Sequence, residues 1–251
     1  MSDTWDYYFL RVDDQPASIF LNLSAFERAP DAKLPHMAYL RLYMQAPRED
    51  GLSNQEEFDA LMALEDHVTE ALEGDGAAYV GRCTTNGCRD FFFYVAKPDD
   101  WAARVAKALD TYPEYEYDVG TREDEDWGLY FGYLYPSAMD MQTIQNRRVC
   151  EALENDGDAL KTPRPIDHYA YFKTAAGADA FANAAAALGF EITGRGDPTD
   201  THDEYGVHLT REDTPSYEHI DSITLPLFEL ALDNEGEYDG WECPVVEGKP
   251  N

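Results

Sequence analysis

Cys83-Thr84-Thr85-Asn86-Gly87-Cys88 is the stretch on which the fold turns. Asn-Gly between two runs of β-branched and aromatic residues marks a two-residue hairpin, because both central positions of such a turn need φ > 0. It joins residues 77–84 to 88–96, and what flanks that hairpin sets the fold class. Upstream, Phe58, Leu61, Leu64, Val68 and Leu72 recur at helical spacing, so a helix runs to about Glu73. Ser53-Asn54-Gln55-Glu56 has the spacing of a capping box at its start, and Gly74-Asp75-Gly76 stops it. Downstream, residues 98–110 form a second helix, with Pro98 in its first turn and Trp101, Val105 and Leu109 facing inward.

Outside the helices lie two more strands. Residues 36–45 are one, and residues 114–120 the other, where Tyr115, Tyr117 and Val119 alternate with polar positions. The order strand, helix, strand, strand, helix, strand is the split βαβ, ferredoxin-like arrangement. Residues 5–12 and 17–23, separated by Asp13-Asp14-Gln15-Pro16, read as a hairpin added at the sheet edge. Residues 121–126 read as an acidic linker. Residues 127–136 (Trp-Gly-Leu-Tyr-Phe-Gly-Tyr-Leu-Tyr-Pro) read as one more strand, its aromatics packing in a sheet rather than stacking on bases.

The second half repeats the order without a detectable sequence repeat. Ser137 caps a helix to about Asn155. A strand at 166–173, a helix at 174–188 closed by Gly189, and strands at 190–195 and 204–211 follow. A last helix opens at Thr214 or Ser216 and runs to Asn234, and Pro226 predicts a kink or break near Thr224. Residues 237–243 supply the final strand. The fold class is therefore α+β: two ferredoxin-like (split βαβ) domains in tandem, with antiparallel sheets, at 1–136 and 137–251.

Gly236-Glu237-Tyr238-Asp239-Gly240-Trp241-Glu242 stands where that final strand begins. Gly236 reads as the helix stop, and strand alternation sends Tyr238 and Trp241 to opposite faces. The stretch is first a structural closure. Its exposed acids, and whichever aromatic is not buried, form a contact surface second.

The chain has 251 residues, 44% hydrophobic and 13% aromatic, which is globular and long enough for two cores. Acids outnumber bases 50 to 19, a net charge of −31 at pH 7. The excess is shared by both halves, −16 over 1–136 and −15 over 137–251. Such a field repels phosphate backbones, disfavours direct nucleic-acid binding and suits a basic partner surface, although solubility or a salt-rich interior explains it as well. No run approaches a membrane span and no basic-then-apolar leader opens the chain, so a cytoplasmic protein is the expectation.

Four cysteines are no disulfide framework. Cys83 and Cys88 allow a cross-strand disulfide or half a metal site, but read as ordinary strand thiols. Of the six histidines, none stands in His-Glu-x-x-His, and neither Gly-x-Ser-x-Gly nor a phosphate-binding glycine loop occurs. Asp167 and His168, being adjacent on a strand, point to opposite faces and make no acid–base dyad. His168 is expected to meet His208 on a neighbouring strand, in a structural role. Asp197 to Glu204, with His202, reads as a solvated acidic turn rather than a calcium loop. No catalytic residue, cofactor or metal site is expected.

Four segments carry a resemblance. They are Arg164-Pro165-Ile166-Asp167-His168-Tyr169-Ala170-Tyr171-Phe172, Leu188-Gly189-Phe190, Tyr205-Gly206-Val207-His208-Leu209 and the Gly236–Glu242 stretch. On these, residues 137–246 resemble the family called regulator of ribonuclease E activity B. Residues 1–136 resemble a domain family of unknown function often joined to it, through Trp127-Gly128-Leu129-Tyr130-Phe131 and Tyr135-Pro136. The resemblance implies a non-enzymatic protein that binds and restrains an RNA-degrading endoribonuclease. The expected contact residues are Asp167, His168, Glu237, Tyr238, Asp239, Trp241 and Glu242. The alternative is an enzyme or small-ligand binder with a pocket between the domains.

Overall fold

The computed structural model describes residues 3–74, 76–199 and 203–247, so Asp75 and His202 lie outside the described residues. The chain divides into two compact units, 1–136 and 137–251.

The first unit is a six-stranded antiparallel sheet. Its strands are β1 (Trp5–Val12), β2 (Gln15–Asn22), β3 (His36–Tyr43), β4 (Ala77–Thr85), β5 (Cys88–Val95) and β6 (Tyr117–Glu123), in the spatial order β1-β2-β4-β5-β3-β6. Asn86 and Gly87 take φ 48° and 77°, as the β4–β5 turn demands, and Thr85 pairs with Cys88 across it. Helices α1 (Gln55–Leu72) and α2 (Trp101–Ala108) cover one face. Leu61, Leu64 and Val68 of α1 and Trp101 and Val105 of α2 bury there against Leu40, Leu42, Phe91 and Phe93. The β1–β2 hairpin adds to the edge at β4, as its sequence predicts.

The second unit opens with α3 (Ala138–Asn155), where Ser137 and Asp140 form a reciprocal capping box. Then come β7 (Arg164–Phe172), α4 (Ala175–Ala187), β8 (Glu191–Gly196), β9 (Tyr205–Asp213), α5 (Ile220–Asp233) and β10 (Gly236–Glu242). The sheet is antiparallel in the order β10-β7-β9-β8. Ile166, Ala170 and Phe172 of β7 and Val207 and Leu209 of β9 face the helices and pack with Phe181, Ile223 and Leu227.

Several expectations need correction. Residues 127–136 are no strand: they form a helical turn whose Tyr130–Leu134 part is π-helical. Trp127, Tyr130 and Leu134 bury together at helical spacing, against the sheet face opposite α1 and α2. Trp127 stacks on Tyr94 with centroids 3.9 Å apart, and Tyr130 donates to the Asn22 carbonyl at 2.7 Å. Asp124 caps the turn, accepting from the Gly128 and Leu129 amides at 2.9 and 3.0 Å. The supposed linker is partly strand, since β6 runs to Glu123. At α1 the cap is Asn54, which accepts from the Glu57 amide; the Glu57 carboxylate instead takes the Gln45 and Ala46 amides at 2.8 and 2.9 Å. α5 starts at Ile220 and runs unbroken through Pro226.

Candidate functional site

In β7, Ile166, His168, Ala170 and Phe172 turn toward the helices, so Asp167, Tyr169 and Tyr171 turn away from them. Cross-strand register brings neighbours to those three. On β9, His208 pairs with Tyr169 and Thr210 with Asp167; on β10, Glu242 pairs with Asp167 and Glu237 with Tyr171. The sheet face opposite the helices thus carries a central row of two tyrosines and a carboxylate, flanked by His208, Glu237 and Glu242.

The Tyr169 ring is held in place. Tyr169 donates its hydroxyl to Glu242 Oε1 at 2.5 Å and meets His208 edge-on, with centroids 4.8 Å apart. The Glu242 hydrogen bond, burial and the surrounding charge push the Tyr169 phenol up to about 12, so it is neutral and donating at physiological pH. Glycines open room beside the rings. A Cβ on Gly194 would sit 3.1 Å from His208 Nδ1, and one on Gly206 3.5 Å from the Tyr171 ring.

Asp239 is the extra residue of a β-bulge: Tyr238 pairs with Ala170, Gly240 with Tyr169 and Trp241 with His168. The bulge overturns the expectation that Tyr238 and Trp241 face opposite ways. Both point to the helices and are buried. Trp241 Nε1 donates to Asn146 Oδ1 at 2.9 Å, and Asn146 in turn donates to Asp221 and Thr224, both at 2.7 Å. Gly236 is not the helix stop either. Glu235 takes the left-handed conformation, φ 56°, while a Cβ on Gly236 would lie 2.2 Å from the Phe172 ring.

His168 is fully buried and does not meet His208, which belongs to the other face. Its Nδ1 lies 2.8 Å from the Tyr238 hydroxyl, while Nε2 has no partner. Burial, with the Arg211 charge a smaller cause, pushes its pKa down to about 3, so it stays neutral. Of the seven expected contact residues, Asp167, Glu237, Asp239 and Glu242 reach the surface, whereas His168, Tyr238 and Trp241 belong to the core. Sequence reasoning missed Tyr169, Tyr171 and His208 as neighbours of the acids. The signal was present: 167, 169 and 171 share one face by alternation, and the register supplies the rest.

The four cysteines are free, and Cys83 pairs with Asp90 rather than Cys88. Among the described residues, no group of three or more His, Cys, Asp or Glu could hold a metal ion. No helix among them is long and apolar enough to cross a membrane.

Fold and site together define a two-unit protein of mixed α and β structure, its antiparallel sheets in two separate regions, the second unit presenting a face of tyrosines and carboxylates. The chain belongs to the family of unknown function DUF695, whose model matches residues 3–135. Residues 143–243 match the model of the family Regulator of ribonuclease activity B. No curated protein matches the chain. Among solved structures, it is similar to an unknown protein from Galdieria sulphuraria at 8% identity and a TM-score of 0.24, over 83% of this chain and 97% of that one.

Proposed function

We propose that this protein is a non-catalytic regulator that binds a ribonuclease E-like endoribonuclease and restrains it by protein–protein contact. The family match over 143–243 supports regulation of a ribonuclease. The observation that carries the contact reading is the sheet face bearing Asp167, Tyr169, Tyr171, Glu237 and Glu242. Tyrosine rings supply contact area at low entropic cost, Tyr169 being held by its hydrogen bond to Glu242, and the carboxylates around them select lysine and arginine. The same carboxylates disfavour direct nucleic-acid binding on this face, although aromatic rings on an open sheet are otherwise a stacking platform. The spatial order β10-β7-β9-β8 supports the ferredoxin-like reading of this unit, since it is the order a split βαβ pair produces. The reading places the protein in the cytoplasm, beside its target.

The test is co-purification with the endoribonuclease and a cleavage-rate assay, using wild type and the triple variant Asp167→Asn, Glu237→Gln, Glu242→Gln. Wild type is expected to bind and slow cleavage. The triple variant, folded normally, is expected to lose at least about tenfold in affinity. Equal binding by the two proteins would move the contact elsewhere, and no effect of wild type on cleavage would end the proposal.

A further inference from the structure

The β1–β2 hairpin carries the first sheet beyond the edge that α1 covers. A cavity of about 470 Å³ opens there, floored by β1, β2, β4 and β5 and walled by α1 and the loop before it. That volume lies in the range of small-molecule sites. Its lining inverts the composition of the chain. In a protein with 50 acids and 19 bases, three arginines line this cavity, Arg48, Arg82 and Arg89, and among the described residues no carboxylate does.

The arginines differ in how they are held. Arg89 is fully buried, with Nε on Thr84 Oγ1 at 3.2 Å and Nη1 on Glu65 Oε2 at 3.4 Å. Arg82 Nε lies 2.6 Å from the same Glu65 oxygen, so one oxygen serves both guanidiniums. The other Glu65 oxygen takes the Tyr79 hydroxyl at 2.9 Å. Arg82 Nη2 reaches the Met62 thioether at 3.9 Å, a weak acceptor. Donors therefore exceed acceptors at the cavity floor. Burial first, then the Arg82 charge, pushes Arg89 down to about 10, which still leaves it cationic at neutral pH. Arg48 stands at the mouth, paired with Asp50 at 2.5 Å on an exposed surface where exchange for another anion costs little.

The walls are flat and apolar. Phe9, Phe58 and Tyr7 are exposed large hydrophobics, and all three converge on this cavity. Phe20 completes the wall, with the Arg82 guanidinium 5.0 Å from its ring centroid. We propose that this cavity is a binding site for a small organic anion, a single carboxylate or phosphate head on a flat apolar body. The head docks on Arg82 and Arg89, and the body lies against Phe9, Phe20 and Phe58. The proposal is independent of the ribonuclease reading.

The probes are benzoate, phenylphosphate, inorganic phosphate and the uncharged isostere benzamide, added to the full chain. The readouts are the arginine Nε–Hε resonances and the melting temperature. Either aromatic anion is expected to shift the Arg82 and Arg89 resonances saturably and to raise the melting temperature. Inorganic phosphate is expected to bind at least about tenfold more weakly, and benzamide to shift neither signal. Arg82→Gln removes the head contact. Phe58→Ser, at an exposed position, is expected to weaken binding about tenfold without lowering the melting temperature of the free protein. Benzamide binding as well as benzoate, silence with both aromatic anions into the millimolar range, or unchanged binding in Phe58→Ser would overturn the proposal.

Discussion

His168 shows how one residue reports the state of a whole unit. Its pKa falls from 6.5 to about 3 on folding because a charged imidazole would be stranded among Phe190, Tyr238 and the helices. The unfolded chain then binds the proton that the folded one refuses. Stability is fully present above pH 6.5 and is lost as pH falls toward 3, at about 1.4 kcal/mol per pH unit. Asp158 acts in a lower window. Burial alone would raise its pKa, but the Val246 and Leu160 amides and Arg164 outweigh burial and hold it below 3.8, so its contribution is lost only in stronger acid. Urea melts of the full chain between about pH 7 and 5 should show His168→Asn with a shallower pH slope than wild type, by close to one proton. Identical slopes would mean that His168 is protonated in the fold. Trp241 tests a second buried group. Trp241→Phe removes the indole N–H that donates to Asn146 Oδ1, which keeps the Gln142 amide at 2.9 Å, together with part of the buried ring volume, and should cost about 1–3 kcal/mol; Trp241→Ala should cost about 3–5 kcal/mol. Equal losses would mean that the phenyl ring retained in Trp241→Phe contributes nothing to stability.

At the scale of the element, β10 explains both what the sequence conveyed and what it concealed. Element order was legible in both units because helix and strand periods are written in the apolar positions, as in Leu61, Leu64 and Val68 of α1 or Ile166, His168 and Ala170 of β7. The acids of the candidate face were legible too, Asp167 by its place beside His168 and Glu237 and Glu242 by their strand, whereas Asp239 is the extra residue of the bulge. A bulge is aperiodic, however, and so two rings three positions apart seemed to diverge. The helical turn at 127–135 was hidden for another reason: its aromatics satisfy strand propensity, while the deciding partner, Tyr94, is distant in sequence. The bulge makes its own prediction. Deleting Asp239 leaves Tyr238, Gly240 and Trp241 alternating in, out, in, so the fold should survive with a change of about 1 kcal/mol or less. Inserting an alanine after Asp239 turns Trp241 and its indole outward and should cost several kcal/mol. Chemical denaturation and near-ultraviolet circular dichroism of both variants check this; similar stabilities would mean that the register is not pinned by Trp241.

For the whole molecule the governing quantity is a net charge of −31, carried almost equally by the two halves. Like charges spread over a folded surface repel, and salt shortens their reach from about 10 Å at 0.1 M to about 3 Å at 1 M. The melting temperature of the full chain should therefore rise with sodium chloride across that range. Binding to a basic endoribonuclease surface should respond in the opposite sense, because the same screening removes its attraction. The two effects are separable through the triple variant Asp167→Asn, Glu237→Gln, Glu242→Gln. Removing three charges of so many changes the overall field little, so the salt dependence of melting should stay near that of wild type. If the contact lies on that sheet face, the salt dependence of binding must flatten, since the carboxylates closest to the partner dominate a screened interaction. Unchanged binding slopes in the variant would assign the attraction to the diffuse field of the whole chain, with the sheet face playing no part in it.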